Sequence, residues 1–115
     1  MKYKHNQKNI PKDVKKEIQS LCAGYYRRQR IASQRMTVLT APPSEELTAF
    51  MAWNKRIDKA LEFIEEGVRA FILNDIANGK GYWASMAAPF LTYNSYYARK
   101  NKALDNLARE FNLMI

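Results

Sequence analysis

A chain of 115 residues is sized for one small domain, and 47% apolar residues with only four glycines and four prolines exclude a low-complexity or disordered tract. A single cysteine, Cys22, and a single histidine, His5, exclude an intrachain disulfide framework and a zinc site built from Cys and His. The formal net charge of +8 points to a polyanionic partner, of which nucleic acid is the commonest; the plainer reading is solubility charge on a helical surface.

That charge is unevenly placed. Residues 1–36 hold ten Lys/Arg against Asp13 and Glu17, residues 37–78 hold four against seven acidic groups, and residues 79–115 hold five against Asp105 and Glu110. Both ends are basic and the middle is acidic. No run approaches the roughly 18 apolar residues of a membrane helix, and the basic start MKYKHNQKN lacks the apolar segment of a secretory signal, so a soluble, cytoplasmic protein is expected.

Strand signals are nearly absent. The expected fold class is all-α, with long N-terminal helices forming a hairpin or coiled coil, followed by a C-terminal helix-turn-helix. Residues 1–10 read as a flexible basic arm whose Lys2, Lys4 and Lys8 could track a backbone or groove. Residues 11–66 read as a helical hairpin or oligomerisation region, and residues 67–115 as the helix-turn-helix region.

Pro11 suits a first helical turn, and Val14, Ile18, Leu21 and Tyr25 follow it on one stripe. Cys22 flanks that stripe as a small buried hydrophobe. The same helix is expected to run on through YYRRQRIASQR, where Arg27, Arg28, Arg30 and Arg35 complement the dipole at its end. Arg27, Arg28 and Arg30 are candidate DNA contacts, because a helix would hold them. The prolines of TAPPSEEL impose a loop, after which Ser44 is the expected N-cap with Glu45 and Glu46 in the first turn.

The next apolar series is Leu47, Phe50, Asn54, Ile57, Leu61, Ile64, Val68 and Phe71, whose alternating spacings of three and four make a seam of period 3.5. One reading packs this seam on the first helix as an antiparallel hairpin. The other makes Leu47, Phe50, Asn54, Ile57, Leu61 and Ile64 a two-fold dimer seam in which Asn54 fixes register. Both hold if the hairpin dimerises. Gly67 marks a break before a shorter helix over 68–77, and NGKG at 78–81 is a stop and turn.

In YWASMAAPF, Trp83, Met86, Ala87 and Phe90 stand at helical spacing, and Pro89 makes the expected helix brief. Thr92 then caps a last helix over 93–112, with Tyr96, Ala103, Leu104, Leu107, Ala108 and Phe111 inward and Tyr96 against Trp83 and Phe90. Short helix, tight turn and longer helix make a helix-turn-helix.

The segments KRIDKALEFIEE, VRAFILNDI, GKGYWASMAAPF and TYNSYYARKNKALDNLAREFNL resemble, in that order, the phage late-gene transcription regulators of the ArpU and RinA type. The resemblance spans roughly residues 55 to 113 and, weakly, the basic first helix. It implies a helical N-terminal part before a helix-turn-helix related to the C-terminal DNA-binding region of sigma factors. The family's capping serine, small polar residue and paired aromatics fall on Thr92, Ser95, Tyr96 and Tyr97. Its basic run falls on Arg99 to Lys102, and its Ala-Leu and Leu-Ala pairs on Ala103, Leu104, Leu107 and Ala108. The stretch before Thr92 is one residue shorter than the family's, lacks its glycine and carries Pro89, so the turn must take another shape.

On such a helix Tyr93, Asn94, Tyr97, Ala98 and Asn101 are expected to face DNA, with Thr92 and Ser95 near a phosphate at the helix N-terminus. Arg99, Lys100 and Lys102 would flank that face as phosphate clamps. The plainer reading makes these ordinary helix-surface residues. No enzyme can be assembled: there is no phosphate loop, nucleophile–base motif or metal-ligand spacing, and no cofactor or metal is expected. Two functions therefore compete. One is a phage or prophage transcription regulator in a bacterial host cytoplasm, reading double-stranded DNA as a homodimer, with RNA polymerase a further partner. The other is a helical coiled-coil interaction module, or phage structural accessory protein, with a vestigial helix-turn-helix.

Overall fold

Residues 10–38 and 45–113 are described by the computed structural model, with side chains for 10–34 and 45–113. They form five helices: α1 (Lys12–Ala23), α2 (Tyr25–Val38), α3 (Glu45–Leu61), α4 (Glu66–Asn78) and α5 (Tyr93–Glu110). One 3-10 turn, Tyr82–Ala84, lies between α4 and α5, and there is no strand among the described residues, so the chain is all-α. Ser44, the 39–44 part of the expected loop, the Arg35 side chain and residues 1–9 of the basic arm, with Lys2, Lys4 and Lys8, lie outside the described residues, while Ile10, expected as the end of that arm, is buried in the core.

Pro11 precedes α1 as its N-cap, extended at ψ 155° and so one position before the expected first turn, and its carbonyl accepts from Lys15 N–H at 3.0 Å. α1 lies along α4, α2 lies along α3, and α5 packs on α3 and α1. A single core cluster joins Ile18 and Cys22 of α1, Ile57 and Leu61 of α3, Ile72 and Ile76 of α4, and Tyr96 and Leu107 of α5. Burial pushes the Cys22 thiol up to about 12, against a smaller opposing pull from Arg28.

The expected continuous first helix is divided at Gly24. The apolar stripe crosses the break without a change of period, which hides it from a periodicity reading. The break releases the Leu21 carbonyl, and Arg28 turns inward to it. Its guanidinium donates to Leu21 O and, at 3.0 Å, to Asn54 Oδ1, while Asn54 Nδ2 donates to the Tyr25 carbonyl at 2.9 Å. A Cβ on residue 24 would collide with that guanidinium. Arg28 is only 4% exposed, so it is a structural cation of the α1–α2–α3 junction and not the DNA contact expected of it.

Asn54 is likewise corrected in role. It does sit buried in the 3.5-residue seam, but its partners belong to its own chain. Leu47, Ile57, Leu61 and Ile64 are buried too, and Phe50 is half-buried, while α3 packs on α2 and α5. A seam covered within one chain leaves any dimer to find another surface.

Two further boundaries differ from expectation. The break before α4 falls at residues 62–65, and Gly67 lies exposed in the first turn of α4. α4 stops where expected: Gly79 takes the left-handed conformation at φ 67°, donating to the carbonyls of Asp75 and Ile76. The helix expected over 83–90 does not form. Only Tyr82–Ala84 makes a turn of 3-10 helix, Ser85 is extended at ψ 141°, and residues 86–90 are turns. Ser85 Oγ takes the Ala87 N–H at 3.0 Å, a local bond that competes with helix, and Pro89 prevents recovery. The short first helix of a helix-turn-helix is therefore replaced by a connector over 79–92.

Arg28→Met is expected to lower stability by about 2 to 3 kcal/mol in urea unfolding, because it strips a charged donor from two buried acceptors. Adding Asn54→Leu should recover part of that loss, giving less than the sum of the two single changes. Strict additivity would mean the junction is not a coupled network.

Candidate nucleic-acid interface

Thr92 caps α5 as expected, its Oγ1 accepting from Ser95 N–H at 3.2 Å, and no acidic residue occupies the first turn. The helix is anchored by Tyr96, which is fully buried and donates to Asp75 Oδ2 at 2.8 Å. Burial first, and then the Asp75 carboxylate, push this phenol far above its ordinary range. Its ring rests on Tyr82 at 5.5 Å between centroids. The expected neighbours face outward instead: Trp83 is 84% and Phe90 66% exposed.

Tyr82 ties the connector down. Its hydroxyl donates to the carbonyls of Leu91 at 2.8 Å and Ala88 at 3.3 Å, and its N–H donates to Tyr97 Oη at 3.2 Å. Tyr97 needs a glycine opposite, since a Cβ on Gly81 would stand 2.8 Å from its hydroxyl oxygen. From there a row of rings runs outward, Tyr97 to Tyr93 at 4.8 Å and Tyr93 to Trp83 at 6.1 Å.

The expected DNA face is only partly assembled. Thr92, Tyr93, Asn94, Ala98 and Lys102 are exposed, and Ser95 and Tyr97 are half-buried. Asn101 is a correction, being fully buried. Residues 97, 101, 104 and 108 lie on one line of α5, and Leu104 and Ala108 belong to the core. Arg99 grips Glu65 through two bonds, at 2.8 and 2.6 Å, and also donates to the Ser95 carbonyl at 3.1 Å. That grip holds the exposed Glu65 carboxyl down to about 2, with a hydrogen bond from its own backbone adding to it. Lys100 donates to the Lys80 carbonyl at 2.5 Å just beyond the end of α4, and burial lowers its pKa against the pull of Asp75. Lys102 lies with its Nζ 4.7 Å from the Phe63 centroid.

Arg27 and Arg30 are exposed on α2, where Arg27 lies 6.0 Å over Phe50 of the α2–α3 hairpin. The first turns of α5 border the end of α4 and the connector instead. Two cations without a role in the sequence reading belong to that second place: Lys15 lines one small cleft with Lys100, Gln19, Asp75 and Gly79, and Lys80 adjoins it. The basic spacing of KDVKK was visible, but its juxtaposition with α5 depends on the packing of α1.

Among the described residues no helix is long and apolar enough to cross a membrane, and no group of three or more His, Cys, Asp or Glu could hold a metal ion. No protein-family model matches the chain, and no curated protein or solved structure matches it significantly.

The depressed Glu65 pKa implies that the Glu65–Arg99 pair contributes above the ordinary carboxylate range and is lost as pH falls toward about 2. Melting temperatures taken from about pH 5 down to about pH 2 should therefore fall less steeply for Glu65→Gln than for the parent chain. Parallel curves would show that the pair adds nothing to stability.

Proposed function

We propose that the chain binds double-stranded DNA through the N-terminal half of α5, in the manner of a phage or prophage transcription regulator. The observation that carries this reading is the line of Asn94, Ala98 and Lys102. They are exposed four residues apart on a capped helix without acidic groups in its first turn. Lys102 supplies a phosphate contact, Asn94 can pair with adenine, and Ala98 permits close approach. Arg28 and Asn101 drop out of the contact set, and Arg99 joins it only by exchanging Glu65 for a phosphate. With a connector in place of the short helix, α5 would enter the groove without the usual inter-helix angle.

An interaction module is the second reading, favoured by the absent short helix and by the exposure of Trp83, Met86 and Phe90. The two separate on duplex binding. Fluorescence anisotropy at low salt should show binding that weakens steeply as salt is raised. Lys102→Ala should weaken all sequences alike and reduce the log–log salt slope by about 1. Asn94→Ala should instead change sequence preference, at about 1 to 3 kcal/mol for the affected base pair. Asn101→Ala should act through thermal stability, not through preference. Absence of duplex binding at low salt would overturn the regulator reading and leave the module.

A further inference from the structure

We infer that the ring row Trp83–Tyr93–Tyr97, bounded by Lys80 and Lys100, is a stacking platform for unpaired bases of single-stranded DNA. The inference rests on the DNA-binding reading for the identity of the polymer; it shares Tyr93, Tyr97 and Lys100 with the expected duplex face, adds Trp83, and uses a different contact chemistry. Trp83 is 84% exposed and Tyr93 46%, while their ring centroids stand 6.1 Å apart. The row is held from beneath: Tyr82 meets Trp83 at 4.9 Å and Tyr93 at 5.6 Å, and is itself bonded to the connector's carbonyls. The rings are thus placed for contact without depending on a partner to order them.

Charge selects the occupant. Lys100 lies 5.8 Å from the Tyr97 centroid, donates to the Lys80 carbonyl, and shares its cleft with Lys15. The acidic group that lines this cleft, Asp75, is buried and engaged by Tyr96, and the exposed Glu65 carboxylate is taken up by Arg99. Exposed rings beside cations, with no exposed carboxylate on the first turn of α5, suit a polymer that offers flat bases and phosphates together. Duplex DNA hides its base faces in its own stack, so the platform selects unpaired strands. A purely apolar protein partner would cover the rings and leave the cations unpaired.

The test uses the full chain carrying Trp53→Phe, which leaves Trp83 as the single remaining tryptophan of the two in the sequence. Oligothymidylate of about 12 nucleotides and a blunt duplex of equal length are titrated at low salt, reading Trp83 emission and the anisotropy of a labelled strand. The single strand should quench Trp83. Trp83→Ala should weaken single-strand binding about 10-fold while leaving duplex affinity and the circular dichroism spectrum unchanged. Duplex binding without single-strand binding would overturn this inference alone. So would single-strand binding indifferent to Trp83→Ala, or a concentration-dependent blue shift of Trp83 without DNA, which would make a second copy the occupant. Failure of both polymers to bind would sink this inference and the duplex reading together.

Discussion

The buried hydrogen bond from Tyr96 to Asp75 places the start of α5 and the ring row beside it. A carboxylate only 1% exposed is costly unless donors meet it, and Tyr96 brings one from the second turn of α5. Asp75 lies in the last turn of α4, and its backbone carbonyl also accepts from Lys80 N–H at 2.9 Å. The end of one helix and the start of the next are thereby fixed to one residue. Tyr82 then fits against the Tyr96 ring and gathers the connector carbonyls, so the exposed rings depend on this bond at one remove. A connector with so little helix keeps a defined course because tyrosine hydroxyls replace the missing helical bonds.

Much of the fold was legible in the residues. The all-α class, the helix start beside Pro11, the Gly79 stop, the Thr92 cap and the inward stripe of α5 all rest on local chemistry that tertiary packing had no reason to override. The 3.5-residue seam was also correctly read as a buried face. What periodicity cannot supply is the identity of the covering surface: a seam facing its own hairpin and one facing a second copy have the same spacing. Asn54 shows the point, since a polar residue in a seam fixes register equally well inside a chain, here through Arg28 and the Tyr25 carbonyl.

The misses have separate physical causes. Gly24 broke a helix whose stripe continued through it. Trp83 and Phe90 are expected inward because their spacing suits a helix, yet spacing has that meaning only if the helix forms, and Ser85 with Pro89 prevents it. Asn101 is expected outward because it shares a face with Tyr97 and Ala98. The supports of α5 come from α1, α3 and the connector, which together cover a wider arc.

Cations that look alike in the sequence are sorted by the fold into different tasks. Arg28 closes a backbone break, Arg99 holds Glu65, and Lys100 sits at the end of α4, while Lys102, Arg27 and Arg30 are exposed. A net charge of +8 therefore overstates what a polyanion would meet at any one place. An exposed charge separated from a ligand by more than a Debye length contributes little at physiological salt. Affinity from so few local cations would be modest, and a binder built this way needs a second source of contact energy. The exposed rings beside Lys80 and Lys100 are the feature of the surface that could supply it, because stacking does not fade as salt rises.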